Sequence, residues 1–119
     1  MPEYAKAEEI TNFLIKAKDL IENKCWFFSQ RKKNLDALAK HGLTIYNAKD
    51  ELFKLTYRNY VDGPLADIDE RFPGEVWVFG KSIDKVNFYI KLKITGEPDG
   101  LLVCLSFHSS NKPMVYPYE

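Results

Sequence analysis

Tyr89, Lys91 and Lys93 recur at every second position of the stretch NFYIKLKITG, residues 87 to 96, with Phe88, Ile90, Leu92 and Ile94 interleaved. Successive side chains of an extended strand point to opposite faces. This spacing therefore gives one apolar face and one bearing a phenol and two ammonium groups. A second run, LLVCLSFH, sets Leu101, Val103, Leu105 and Phe107 on one side and Leu102, Cys104, Ser106 and His108 on the other. Matching the apolar sets brings Ser106 and His108 beside Tyr89, Lys91 and Lys93. In a third run, EVWVFGK, Val76 and Val78 alternate with Trp77 and Phe79; burying the valines adds Glu75, Trp77, Phe79 and Lys81 to the polar face. Rings that stack on bases, set among ammonium groups that meet phosphates, suit single-stranded RNA. His108, whose ordinary pKa lies near neutrality, is the proton carrier of the set. The same residues also read as the solvated face of an antiparallel sheet, with His108 held by a structural partner.

Other groupings carry less. Arg31, Lys32 and Lys33 open a predicted helix, whose N-terminus can meet phosphate or simply be solvated. Asp62, Asp67, Asp69 and Glu70 are ligand types for a hard cation, but they lack the alternating oxygen spacing of a calcium loop. The chain has no Cys/His spacing for zinc, no phosphate-binding glycine loop and no GxSxG turn. No metal and no cofactor are expected.

The elements that must hold these residues follow from periodicity. Ile10, Phe13, Leu14, Ala17, Leu20 and Ile21 recur at spacings of three and four, predicting an amphipathic helix over about 5 to 23. CWFFS reads as a short strand. A second helix covers Lys32 to His41, burying Leu35, Leu38 and Ala39, with His41 as a dipole-favoured cap and Gly42 as the stop. Thr44 or Asn47 caps a third, from which Leu52 and Leu55 face inward. VDGPLADIDERFPG, residues 61 to 74, reads as a long loop, either a solvated connector or an acidic lid. Three strands follow, over 75 to 81, 87 to 94 and 101 to 108, joined as hairpins by SIDKV and TGEPDG. The expected fold is α+β: N-terminal helices packed on one face of an antiparallel sheet, in a single domain spanning 1–119.

Bulk numbers bound the function. Seventeen basic residues balance seventeen acidic ones in 119, so no global field draws nucleic acid or membrane. The balance is uneven: residues 1 to 60 hold eleven basic and eight acidic groups, whereas 61 to 75 hold one and five. Two cysteines outside any CxxC pair, and no signal peptide, suggest a reducing cytosol, with Cys104 as a buried hydrophobe. No apolar stretch approaches the roughly twenty residues of a membrane span. A cytoplasmic protein without a membrane partner is expected.

The succession RKKNLDALAKHGLT, LTYRNYVDGP, GEVWVFGK, YIKLKI and LSFH resembles the motility quorum-sensing regulator toxin family, the MqsR-like ribonucleases of bacterial toxin–antitoxin pairs. It runs from about Phe13 to the C-terminus; the motifs are short, and their collinear order carries the likeness. The resemblance implies a RelE-like fold, metal-independent cleavage of mRNA and a cognate antitoxin as partner, and leaves open whether the ribosome takes part. Carried over by position, Tyr89 matches the family's functional tyrosine and Lys91 the lysine two places on. His108 falls where the family has a lysine after SF. Asp62 stands where a functional lysine is expected, and Val78 where a glutamine is.

The mechanism this implies uses the RNA 2′-hydroxyl as nucleophile. His108 serves as base or acid, and Tyr89 orients the ribose or donates to the leaving oxygen. Lys81, Lys91 and Lys93 hold the phosphorane-like charge, Trp77 or Phe79 stacks a base, and Arg31 meets phosphate. Two rivals are a non-catalytic RNA-binding module using the same face and a protein-interaction domain. The apolar tail KPMVYPYE fits the second, or else simply packs across the sheet edge.

Overall fold

The Lys6 backbone N–H donates to the Glu9 carboxylate at 3.0 Å, which satisfies one free donor where α1 (Ala7–Glu22) begins. Its stripe of Ile10, Leu14, Ala17, Leu20 and Ile21 is buried as the periodicity requires. The structure is a computed structural model that describes residues 3–67, 73–96 and 99–119. After β1 (Trp26–Phe28), α2 (Lys32–Lys40) ends at His41, with Gly42 at φ +67° supplying the left-handed stop. The inward stripe of α2 is Asn34, Ala37 and Leu38. Leu35 and Ala39, expected inside, are exposed, because the helix is rotated to bury the Asn34 amide. Thr44 caps α3 (Ile45–Phe53): its Oγ1 accepts from the Asn47 N–H at 3.1 Å, and Asn47 Oδ1 accepts from the Thr44 N–H at 2.9 Å. Leu52 and Leu55 are buried.

Four longer strands complete the chain: β2 (Tyr60–Ala66), β3 (Glu75–Ile83), β4 (Val86–Thr95) and β5 (Leu101–Ser109). The sheet order is β1-β5-β4-β3-β2. β3, β4 and β5 form the expected meander, turned between β3 and β4 by Asp84 and Lys85, both at positive φ. β1 runs parallel to β5, Trp26 facing Leu102, so the sheet is mixed rather than purely antiparallel. The architecture is α+β.

β2 corrects the expectation of a loop over 61 to 74. Its glycine and proline mark a bulged edge strand, the one place in a sheet where proline is tolerated. Gly63 lies so close to β3 that a Cβ would stand 2.7 Å from the Val76 carbonyl oxygen. Asp69 and Glu70, named above as possible ligands, and the rest of 68–72 lie outside the described residues.

The helices cover one face of the sheet. Phe13 of α1 stacks on Trp77 at 4.7 Å between ring centroids, and Phe79, Phe88, Ile90, Leu92 and Phe107 fill the layer beneath. The other face carries the candidate site.

Candidate functional site

Strand register builds this face in cross-strand rows. One row is Asp62, Val78, Lys91 and Ser106; the next is Gly80, Tyr89 and His108; a third is Leu65, Val76, Lys93 and Val103. Tyr89, Lys91, Ser106 and His108 are thus neighbours, as alternation in the sequence requires. Alternation in β5 breaks between Cys104 and Ser106, where Leu105 is an extra residue opposite the Lys91–Leu92 step. The bulge turns Leu102 and Cys104 into the core together with Phe107, although sequence alternation set them on opposite faces. Burial pushes the Cys104 thiol up to about 12, as befits an inert core residue.

The bulge also recruits α2. Asn34, fully buried, donates through Nδ2 to the Ser29 carbonyl at 2.9 Å and the Leu105 carbonyl at 3.1 Å. Its Oδ1 accepts from the Phe107 N–H at 3.1 Å. Arg31, one turn earlier, donates through Nη2 to the Leu105 carbonyl and, at 2.8 Å, to Ser106 Oγ. The guanidinium at the start of α2 is thereby fixed at the rim of the row that holds Lys91.

His108 Nδ1 lies 3.2 Å from the Ser109 carbonyl, so Nδ1 carries the proton and Nε2 is left as an acceptor in the neutral ring. Burial lowers its pKa, partly opposed by that carbonyl, and the cations Lys33, Arg31 and Lys91 lower it further. The rings of Tyr89 and His108 meet edge to face at 5.5 Å, and Lys91 Nζ sits 5.9 Å from the Tyr89 centroid. Burial and the neighbouring Asp62 raise the Tyr89 pKa, so its phenol stays protonated.

Four expected RNA-binding residues do not join this set. Lys93 shares the face but is 1% exposed, its Nζ held 2.7 Å from Asp67 Oδ2, so its charge is already matched inside the protein. Trp77 and Phe79 point into the helix-covered core, because Val76 and Val78, which alternate with them, take the other face. Lys81 lies on that core side as well and pairs with Glu51 at 2.5 Å. Ser106, placed on this face by alternation, gains Arg31 as a partner, and Lys33 adds a cation near His108. The Arg31–Lys33 cluster ahead of a helix was visible in the sequence; its meeting with β5 was not.

The tail after β5 folds back over β3. Met114 and Tyr116 lie on Gly80, where a Cβ would stand 2.7 Å from the Met114 sulfur. Tyr118 donates to the Ala5 carbonyl at 2.6 Å, and Ala5 N–H donates to Tyr60 Oη at 3.1 Å. Between tail and sheet is a hollow of about 470 Å³ that adjoins Tyr89 and includes Asp62.

No protein-family model, curated protein or solved structure matches the chain. Function must therefore be read from the chemistry of the site.

Proposed function

We propose that the open face binds single-stranded RNA and cleaves it, with the 2′-hydroxyl as nucleophile and no metal. The observation that supports this most is the convergence of Tyr89, Lys91, Ser106 and His108 with the anchored Arg31 on one face of the sheet, where all but the buried Ser106 are at least partly open to solvent. Neutral His108 Nε2 accepts the 2′-hydroxyl proton. The 2′-oxygen attacks the adjacent phosphorus as the bond to the 5′-oxygen breaks, leaving a cyclic phosphate and a new 5′-hydroxyl. Arg31 and Lys91 match the charge that builds on the non-bridging oxygens. Ser106 Oγ accepts from Arg31 and so keeps its own O–H to donate to one of those oxygens. Tyr89 protonates the leaving oxygen; a departing alkoxide is far more basic than a phenolate, so the transfer is downhill despite the raised phenol pKa.

In the cell, this makes the protein an mRNA-cutting toxin of a type II toxin–antitoxin pair, working in the cytosol under a cognate antitoxin. The free thiols of Cys25 and Cys104 agree with a reducing compartment. The test is cleavage of mRNA in EDTA, with and without ribosomes, by wild type, His108→Ala, Lys91→Ala and Tyr89→Phe. His108→Ala and Lys91→Ala should each lose on the order of a hundredfold or more in rate. Salt-sensitive binding with no cleavage by wild type would leave a binding module instead. Cleavage equal in all four proteins would remove the assigned roles.

A further inference from the structure

Stacking on a base needs an open ring, and Trp77 and Phe79 do not offer one, since both are turned into the core. Strand β1 does. Phe27 stands opposite Val103, between Trp26 and Phe28, whose partners Leu102 and Cys104 belong to the core. Alternation turns Phe27 to the other face of the sheet, where it is 51% exposed, against 4% for Phe28 beside it. It carries the row of Leu65, Val76, Lys93 and Val103 out to the sheet edge. The ammonium of that row is already matched, Lys93 by Asp67, so this end of the face meets a ligand with apolar surface instead of charge. The next row along β4, two residues on and about 7 Å away, holds Lys91 and Ser106, with Arg31 bound to Ser106. Along the β5 edge a ring is therefore followed by a guanidinium, the order in which base and phosphate follow each other in a polynucleotide.

We infer that Phe27 is a stacking platform for one base of a single-stranded RNA, upstream of the phosphate held by Arg31 and Lys91. The inference rests on the RNA reading above and adds to it a base-binding residue that selects no sequence, because every base has a π face to offer a ring. The direction follows from the roles in cleavage. His108 on β5 takes the 2′-hydroxyl proton, and Tyr89 on β4 serves the leaving 5′-oxygen. The strand thus lies with its 5′ part toward β5 and β1, where Phe27 is, and its 3′ part toward β3. A phenylalanine left half open also forgoes part of its burial free energy, which a stacked base would restore.

Fluorescence anisotropy tests it, with a short single-stranded RNA 2′-O-methylated to prevent cleavage and a chain of the same length and charge lacking the bases. Phe27→Leu keeps apolar bulk and removes the ring. Wild type should prefer the RNA to the abasic chain, and Phe27→Leu should cut that preference about tenfold, the worth of one stacked base. Phe27→Tyr should keep it. The slope of log affinity against log salt should be unchanged in Phe27→Leu and shallower by about 0.7 in Lys91→Ala, since stacking releases no counterions. When single abasic residues are placed along an RNA of mapped cut, the position that weakens wild type but not Phe27→Leu should lie upstream; a downstream position overturns the placement. Equal binding of RNA and abasic chain by wild type overturns the platform, however the variants fold. So does an equal RNA preference in wild type and Phe27→Leu, the result expected of a ring that meets a protein instead; either leaves the RNA reading intact. Failure of wild type to bind the RNA overturns both.

Discussion

His108 and Lys93 share one face, His108 as a neutral ring with a lowered pKa and Lys93 as a charge matched inside the protein. Lys93 is sealed against Asp67, and breaking a buried pair strands a charge. Asp67→Ala should therefore lower stability by about 3 kcal/mol in a urea titration. That cost weighs against Asp67 as part of a mobile acidic lid. His108 is governed by the opposite condition. Burial, with the cations Lys33, Arg31 and Lys91, holds its folded pKa below the ordinary 6.5. As pH falls, the unfolded chain takes up this proton before the folded one does. The His108 contribution to stability should thus decline as pH drops below about 6.5, levelling off once the folded value is passed. Urea midpoints of wild type and His108→Gln between pH 5 and 8 would check it, since the variant should lack this part of the decline. Cleavage should likewise persist into mildly acidic buffer, because Nε2 stays unprotonated there.

At the level of elements, the link between α2 and β5 matters most. Asn34 satisfies backbone groups on both sides of the β5 bulge, so Asn34→Ala leaves the Ser29 carbonyl and the Phe107 N–H without it. A loss of about 3 kcal/mol is expected in chemical denaturation, from roughly 1–3 kcal/mol per buried unsatisfied group. Weaker RNA binding should accompany it, since Arg31 loses its fixed position. The helices and the meander were legible because their periodicities are strong. The α2 stripe was not, since an amide that fills its hydrogen bonds belongs inside as surely as a leucine, and composition does not reveal that. β2 hid behind Gly63 and Pro64, whose turn chemistry is also the chemistry of an edge strand. Trp77 and Phe79 went to the core because Phe13 offers them a ring to stack on, a pairing between distant segments that no local pattern encodes. Likewise, alternation placed Tyr89 beside His108 but could not show that Leu105 is an inserted residue.

For the whole molecule, net charge is a poor guide to binding. The chain is neutral overall, yet Arg31, Lys33 and Lys91 gather around His108. Three phosphate contacts on single-stranded RNA predict a slope near −2 in log affinity against log salt, about −0.7 per contact. A slope near zero would remove the cationic cluster from the interface. The radius of gyration, 13.6 Å, is that of one closely packed unit of this length. Among the described residues no helix is long and apolar enough to cross a membrane.

The parallel pairing of β1 with β5 carries a cost during synthesis. Trp26 and Phe28 emerge early, but their strand partners, Leu102 and Cys104, come from the last strand of the sheet. Loop closure over that distance is slow, and it cannot begin until β5 has left the exit tunnel. Until then the nascent chain exposes the apolar stripe of α1 and an unpaired strand, a state that invites holdase chaperones. Ribosome-stalled chains cut short before Leu101 should therefore stay protease-sensitive, however well their helices form.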